Sequence, residues 1–130
     1  MTELVVDSLA MAAEAGGDIN DAIYARYFEL CPDSRQVMQH TDEYMRGRML
    51  DEVYRLVMND DTAGDREYLT FETGNHQSYG AQPHMYENLL LAVRDVVRDA
   101  MGDGWSPAIA AAWDTRMGEL LGIIRPLTAG

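Results

Sequence analysis

The sequence has 130 residues, of which 22 are acidic and 10 are basic, giving a formal net charge of −12. A surface this acidic repels phosphate backbones, so nucleic acid is not an expected partner. The hydrophobic content of 47% is enough for one buried core, and a single domain spanning residues 1–130 is predicted.

The cysteine content and the N-terminal residues indicate the cellular compartment. Cys31 is the only cysteine, so no internal disulfide can form. The first residues lack the basic start and apolar run of a signal peptide, and no stretch approaches the roughly 18 apolar residues of a membrane span. We therefore expect a cytoplasmic protein with no membrane partner.

Helical spacing of apolar residues dominates the first half of the chain. It predicts a first helix over residues 3–15, closed by two glycines, and a second helix that starts at Asp18 or Asn20 and stops at Pro32. A short helix over residues 32–38 and a polar corner follow.

The second half has the same periodicity. We predict a helix over residues 43–58, an acidic break over residues 59–65, and a helix from Arg66 toward His76. Two longer helices follow, over residues 83–101 and from Ser106 to Pro126. No strand-like alternation is present, so the fold class is all-α with six or seven helices. Periodicity alone permits either a four-helix bundle or steeply crossing helices.

His76 precedes a predicted corner between two helices. Gly80 permits a positive φ, and Pro83 suits the first turn of a helix. A histidine at such a corner can point its ring into an interior slot between packed helices, which is the arrangement that a haem iron requires.

Several stretches together resemble the bacterial single-domain globins and the globin domain of flavohaemoglobins. The resemblance is carried by Tyr24-Ala25-Arg26-Tyr27-Phe28-Glu29-Leu30-Cys31-Pro32, by His76 with Tyr79-Gly80, Pro83 and Tyr86, and by Gly102-Asp103-Gly104-Trp105-Ser106-Pro107 with Ala112-Trp113. It implies a globin-like fold that holds haem b (iron protoporphyrin IX) between the 43–58 helix and the His76 segment.

The resemblance implies a proximal set around His76, which would bind the iron. Tyr86 matches a proximal-side tyrosine of these globins. The family often adds a glutamate on the last helix, which makes the histidine more electron-donating. Here that position holds Thr128, and Glu119 is the nearest preceding acid. We therefore do not expect peroxidase-like chemistry, and no catalytic residue is predicted.

On the distal side, Tyr24 matches the tyrosine that donates a hydrogen bond to bound O2. The alternative role of Tyr24 is a core residue with its hydroxyl at the surface. Met38 stands where globins place a phenylalanine against the haem, and a thioether can fill that space.

The distal helix has two possible registers. In one, Met45 and Met49 face the haem; in the other, Arg46 and Leu50 do. Arg48 is a candidate partner for a haem propionate, or else a solvated arginine.

The resemblance implies a globin that binds O2, NO or CO as a carrier, sensor or NO scavenger, either as a monomer or as a homodimer. No flavin or nicotinamide domain follows, so NO dioxygenase activity would require a separate reductase. The alternative is a haem-free globin-fold module for sensing or interaction, favoured by Met38 and by the lack of a distal polar residue.

Overall fold

The protein was analysed as a computed structural model, which describes residues 2–59 and 62–128. These residues form seven α-helices and one 3₁₀ turn at Gly102–Gly104. The helices are α1 (Glu3–Gly16), α2 (Asn20–Leu30), α3 (Ser34–Val37), α4 (Glu43–Met58), α5 (Thr62–Ser78), α6 (Pro83–Met101) and α7 (Pro107–Thr128). The predicted all-α class and helix number are thereby confirmed.

Several helix boundaries differ from the prediction, and α3 is shorter, at Ser34–Val37. Helix α5 begins at Thr62, four residues before the predicted start, so residues 62–65 of the predicted acidic break are helical; residues 60 and 61 lie outside the described ranges. Helix α7 continues through Pro126 to Thr128. Proline removes one backbone donor and its ring crowds the carbonyl four residues earlier, so it disfavours helix at this point. The buried Ile123 and Ile124 hold this last stretch against the core.

Helix α6 is the centre of the packing. It lies against α1, α2 and α7, while α5 packs mainly on α7. This role follows from its sequence, in which Leu90, Val93 and Val97 recur at helical spacing and are buried. One continuous cluster of buried apolar residues joins the helices.

A buried hydrogen bond joins α7 to α1. The indole Nε1 of Trp113, on α7, donates to Ser8 Oγ on α1 at 2.9 Å, and both side chains are fully buried. This contact satisfies the indole N–H that burial would otherwise leave unpaired.

Within the described ranges, no helix combines the length and the hydropathy needed to cross a lipid bilayer.

Candidate functional site

A cavity of about 430 Å³ lies between α4, α5 and α6, with α7 at its base. Its walls are mostly apolar, formed by side chains such as Met49, Val53 and Leu56 of α4 and Leu89 and Leu90 of α6. Small-molecule sites are typically cavities of about 300–1,000 Å³ with apolar walls and a few polar groups. This cavity has that character.

His76 lies in the last turn of α5 and lines the cavity. Its Nδ1 is 2.8 Å from the backbone carbonyl oxygen of Glu72, one helical turn earlier. A carbonyl can only accept a hydrogen bond, so Nδ1 is the donor, and in the neutral imidazole Nε2 then carries the lone pair. Metal-binding histidines commonly have this arrangement, in which one ring nitrogen is tied to a carbonyl and the other is available.

Two further side chains surround the imidazole. The Glu72 Oε2 atom is 3.5 Å from Nδ1 of His76, and the Tyr86 ring meets the imidazole edge-on with 6.5 Å between ring centres. Burial raises the pKa of Tyr86, with a smaller contribution from the Glu72 charge. A carboxylate therefore lies beside the histidine, although it comes from α5 and not from the last helix.

The corresponding position on the last helix is filled differently. Thr128 donates from its hydroxyl to the backbone carbonyl of Ile124 at 3.0 Å. Glu119 lies 3.7 Å from the buried guanidinium of Arg116. Neither residue lines the cavity.

Of the α4 residues in the two predicted registers, Met49 alone lines the cavity. Arg48 and Met49 line it, whereas Met45 is 47% exposed and lies outside it. Arg46 and Leu50 also lie outside, because Leu50 is buried in the core and Arg46 packs over the rings of α2. The α4 residues that line the cavity therefore begin at Arg48 and Met49 and continue one turn later with Glu52 and Val53.

Met38, which follows α3, is buried and lines the cavity. Arg48 is exposed at the rim, with its guanidinium 6.0 Å from the Tyr44 ring centre. Within the described residues it makes no ion pair. A rim cation without an acidic partner is positioned to meet an anionic group.

Tyr24 lies outside this cavity. Its hydroxyl donates to the backbone carbonyl of Arg46 at 2.9 Å, and it lines a separate cleft of about 670 Å³ between α2 and α4. Burial raises the pKa of Tyr24 to about 12, partly offset by the Arg46 charge. Its hydroxyl is therefore neutral and already engaged.

Two tyrosines that the sequence did not single out line the cavity. Tyr27, three residues after Tyr24, is buried, and burial raises its pKa. Tyr68 on α5 also lines it; burial and the Glu52 charge raise its pKa to about 12. Tyr24 and Tyr27 are three residues apart and so lie on neighbouring positions of one helical face. The sequence therefore offered Tyr27 as an alternative to Tyr24 for a residue that lines the cavity.

In comparisons with known proteins, no family model matches the chain and no curated protein shows significant similarity to it.

Proposed function

We propose that the protein is a globin that binds haem b in the α4–α6 cavity and uses the iron to bind a diatomic gas. The proposal rests on the His76 imidazole at the cavity wall, whose Nδ1 donates to the Glu72 carbonyl while no described residue hydrogen-bonds to Nε2. Bound haem iron would supply a site for O2, NO or CO.

The side chains around the cavity fit this group. His76 would hold the iron through Nε2, and the carbonyl of Glu72 fixes the tautomer that makes this possible. Met38 and Met49 offer polarisable walls suited to a flat aromatic macrocycle. Arg48 at the rim would pair with a propionate.

The tyrosines bear on how a gas would be held. Tyr24 would have to release the Arg46 carbonyl before its hydroxyl could donate elsewhere. Tyr27 lines the cavity, but Ser34, Cys31 and Asp33 all contribute to its pKa shift, so its hydroxyl lies beside the α2–α3 corner. Either tyrosine would therefore have to leave its present surroundings to donate to a bound gas, and Tyr24 acts chiefly as a contact between α2 and α4.

The proposal is tested by titrating the purified protein with haemin and recording absorption before and after dithionite and carbon monoxide. We expect saturation at one haem per chain and a Soret band that shifts at both steps. His76→Ala should weaken haem binding at least tenfold, because even outer-sphere partners of a metal ligand are worth about 10–100-fold.

His40→Ala is the matched control, since His40 is exposed in the corner before α4. It should bind haem as the wild type does. If the wild type does not bind haem, the haem function is ruled out, and the haem-free module, which the engaged hydroxyl of Tyr24 favours, remains. If both variants bind haem equally well, His76 is not the iron ligand.

A further inference from the structure

A second group of potential metal ligands lies away from His76, where the α2–α3 corner meets the start of α6. It consists of Cys31, Asp33 and His84, whose ligand atoms all lie within 4.8 Å of one another. The Cys31 thiol donates to Asp33 Oδ1 at 3.2 Å, and His84 Nε2 is 2.8 Å from Asp33 Oδ2. The cavity described above includes none of these residues.

Three elements of local structure bring these side chains together. Cys31 ends α2, and Asp33 is the residue before α3. The turn between them is fixed because Ser34 donates to the Cys31 carbonyl from both its hydroxyl, at 2.6 Å, and its backbone N–H, at 3.0 Å. His84 is the second residue of α6, and the packing of α2 on α6 sets the distance between the two halves.

We infer that Cys31, Asp33 and His84 form a binding site for a divalent metal ion of the zinc class. Thiolate, imidazole and carboxylate are the ligands that such ions take in proteins. With Zn–ligand bonds of about 2.0–2.3 Å, ligand atoms in a tetrahedral site lie roughly 3.3–3.6 Å apart. The observed contacts of 3.2 and 2.8 Å go to different oxygens of Asp33, and the three ligand atoms lie within 4.8 Å of one another. The side chains must therefore rotate toward one another to share one ion.

Exposure gives the ion a route to the site. The Asp33 and His84 side chains are about half exposed, at 54% and 52%, while Cys31 is buried beneath them. An ion arriving from solvent would meet the carboxylate and imidazole first and then displace the thiol proton, which is released to water.

Three protein ligands leave one tetrahedral position for water. That coordination is typical of open zinc sites and not of closed structural ones. The ion would also join the α2–α3 corner to α6, so its binding should stabilise the folded chain by mass action.

The test is a titration of the haem-free protein with Co²⁺, whose thiolate charge-transfer absorption reports a cysteine ligand, followed by competition with Zn²⁺. We expect one ion per chain, a charge-transfer band, and a higher melting temperature with Zn²⁺. His84→Gln and Asp33→Asn, both at exposed positions, should weaken binding at least about tenfold. Cys31→Ser should abolish the charge-transfer band.

His40→Gln is the control, because His40 is exposed and does not belong to the cluster. It should bind Co²⁺ as the wild type does. Failure of the wild type to bind one ion, or equal weakening by His40→Gln, would overturn the site. Because His84→Gln changes an exposed side chain, unchanged circular dichroism in that variant separates a lost ligand from a lost fold. The result is independent of whether haem binds.

Discussion

A buried ion pair joins α5 and α7. Arg116 and Asp65 are each 1% exposed, and the guanidinium also donates two hydrogen bonds to the backbone carbonyl of Leu56, at 3.0 and 2.7 Å. Asn59 donates to the other oxygen of Asp65 at 3.1 Å. Arg116 therefore ties the end of α4 and the start of α5 to α7, and so supports two walls of the cavity.

We predict that Asp65→Ala lowers the free energy of unfolding by about 3–5 kcal/mol, because it leaves a buried guanidinium without its counter-charge. Urea unfolding followed by circular dichroism measures this. Glu87→Ala is the matched control, since it removes an exposed partner of Arg125, also on α7; it should cost less than about 1 kcal/mol. Equal costs for the two variants would contradict the assigned role of the buried pair.

At the scale of elements, the turn between α5 and α6 positions His76. Gly80 has a φ of 94°, and the His76 carbonyl accepts from the backbone N–H groups of Tyr79 and Ala81, at 3.0 and 3.2 Å. Gly80 alone in this turn has a left-handed conformation, which an L side chain adopts at a cost of roughly 1–2 kcal/mol. The corner that sets the histidine therefore depends on that glycine.

We predict that Gly80→Ala destabilises the protein by about 1–2 kcal/mol, measured by urea unfolding. Gly74→Ala is its counterpart within α5. An added Cβ meets nothing within 4 Å there, and alanine favours the helix by about 0.5–1 kcal/mol. The two substitutions should therefore shift the unfolding midpoint in opposite directions. If both substitutions shifted the midpoint in the same direction, the turn would not depend on the left-handed conformation of Gly80.

Much of the helical architecture could be predicted from the sequence, because apolar residues at helical spacing pack onto one core. Leu90, Val93 and Val97 are examples. The same pattern could not show which polar residues the core would accept. Asp65 and Arg116 look like surface charges in the sequence, and their burial depends on meeting each other across 51 residues.

The candidate site was predictable to a similar degree. The corner after His76 could be predicted because its signals are local: Gly80 has a positive φ and Pro83 begins α6. The rotation of α2 and α4 about their own axes depends on tertiary packing, which the sequence does not state. Tyr24 therefore faces the α2–α4 cleft and Met45 faces solvent, while Tyr27 lines the cavity.

At the scale of the whole molecule, a net charge of −12 on 130 residues opposes compaction through self-repulsion. Salt screens this repulsion, because the Debye length falls from about 10 Å at 0.1 M to about 3 Å at 1 M. The buried Arg116–Asp65 pair is screened much less than exposed charges are, and exposed pairs such as Arg55–Glu52 are each worth at most about 1 kcal/mol. Added salt should therefore weaken the repulsion among the surface carboxylates more than it weakens the attraction within the ion pairs.

We predict that the melting temperature rises by several degrees between 0.1 and 1 M sodium chloride, as followed by circular dichroism. The control is the double variant Asp7→Asn with Glu14→Gln, which removes two exposed negative charges on α1. This variant should melt higher than the wild type at low salt and gain less from added salt, because less repulsion is left to screen. If the variant and the wild type gain equally, the stabilisation arises from salt effects on apolar burial and not from the acidic surface.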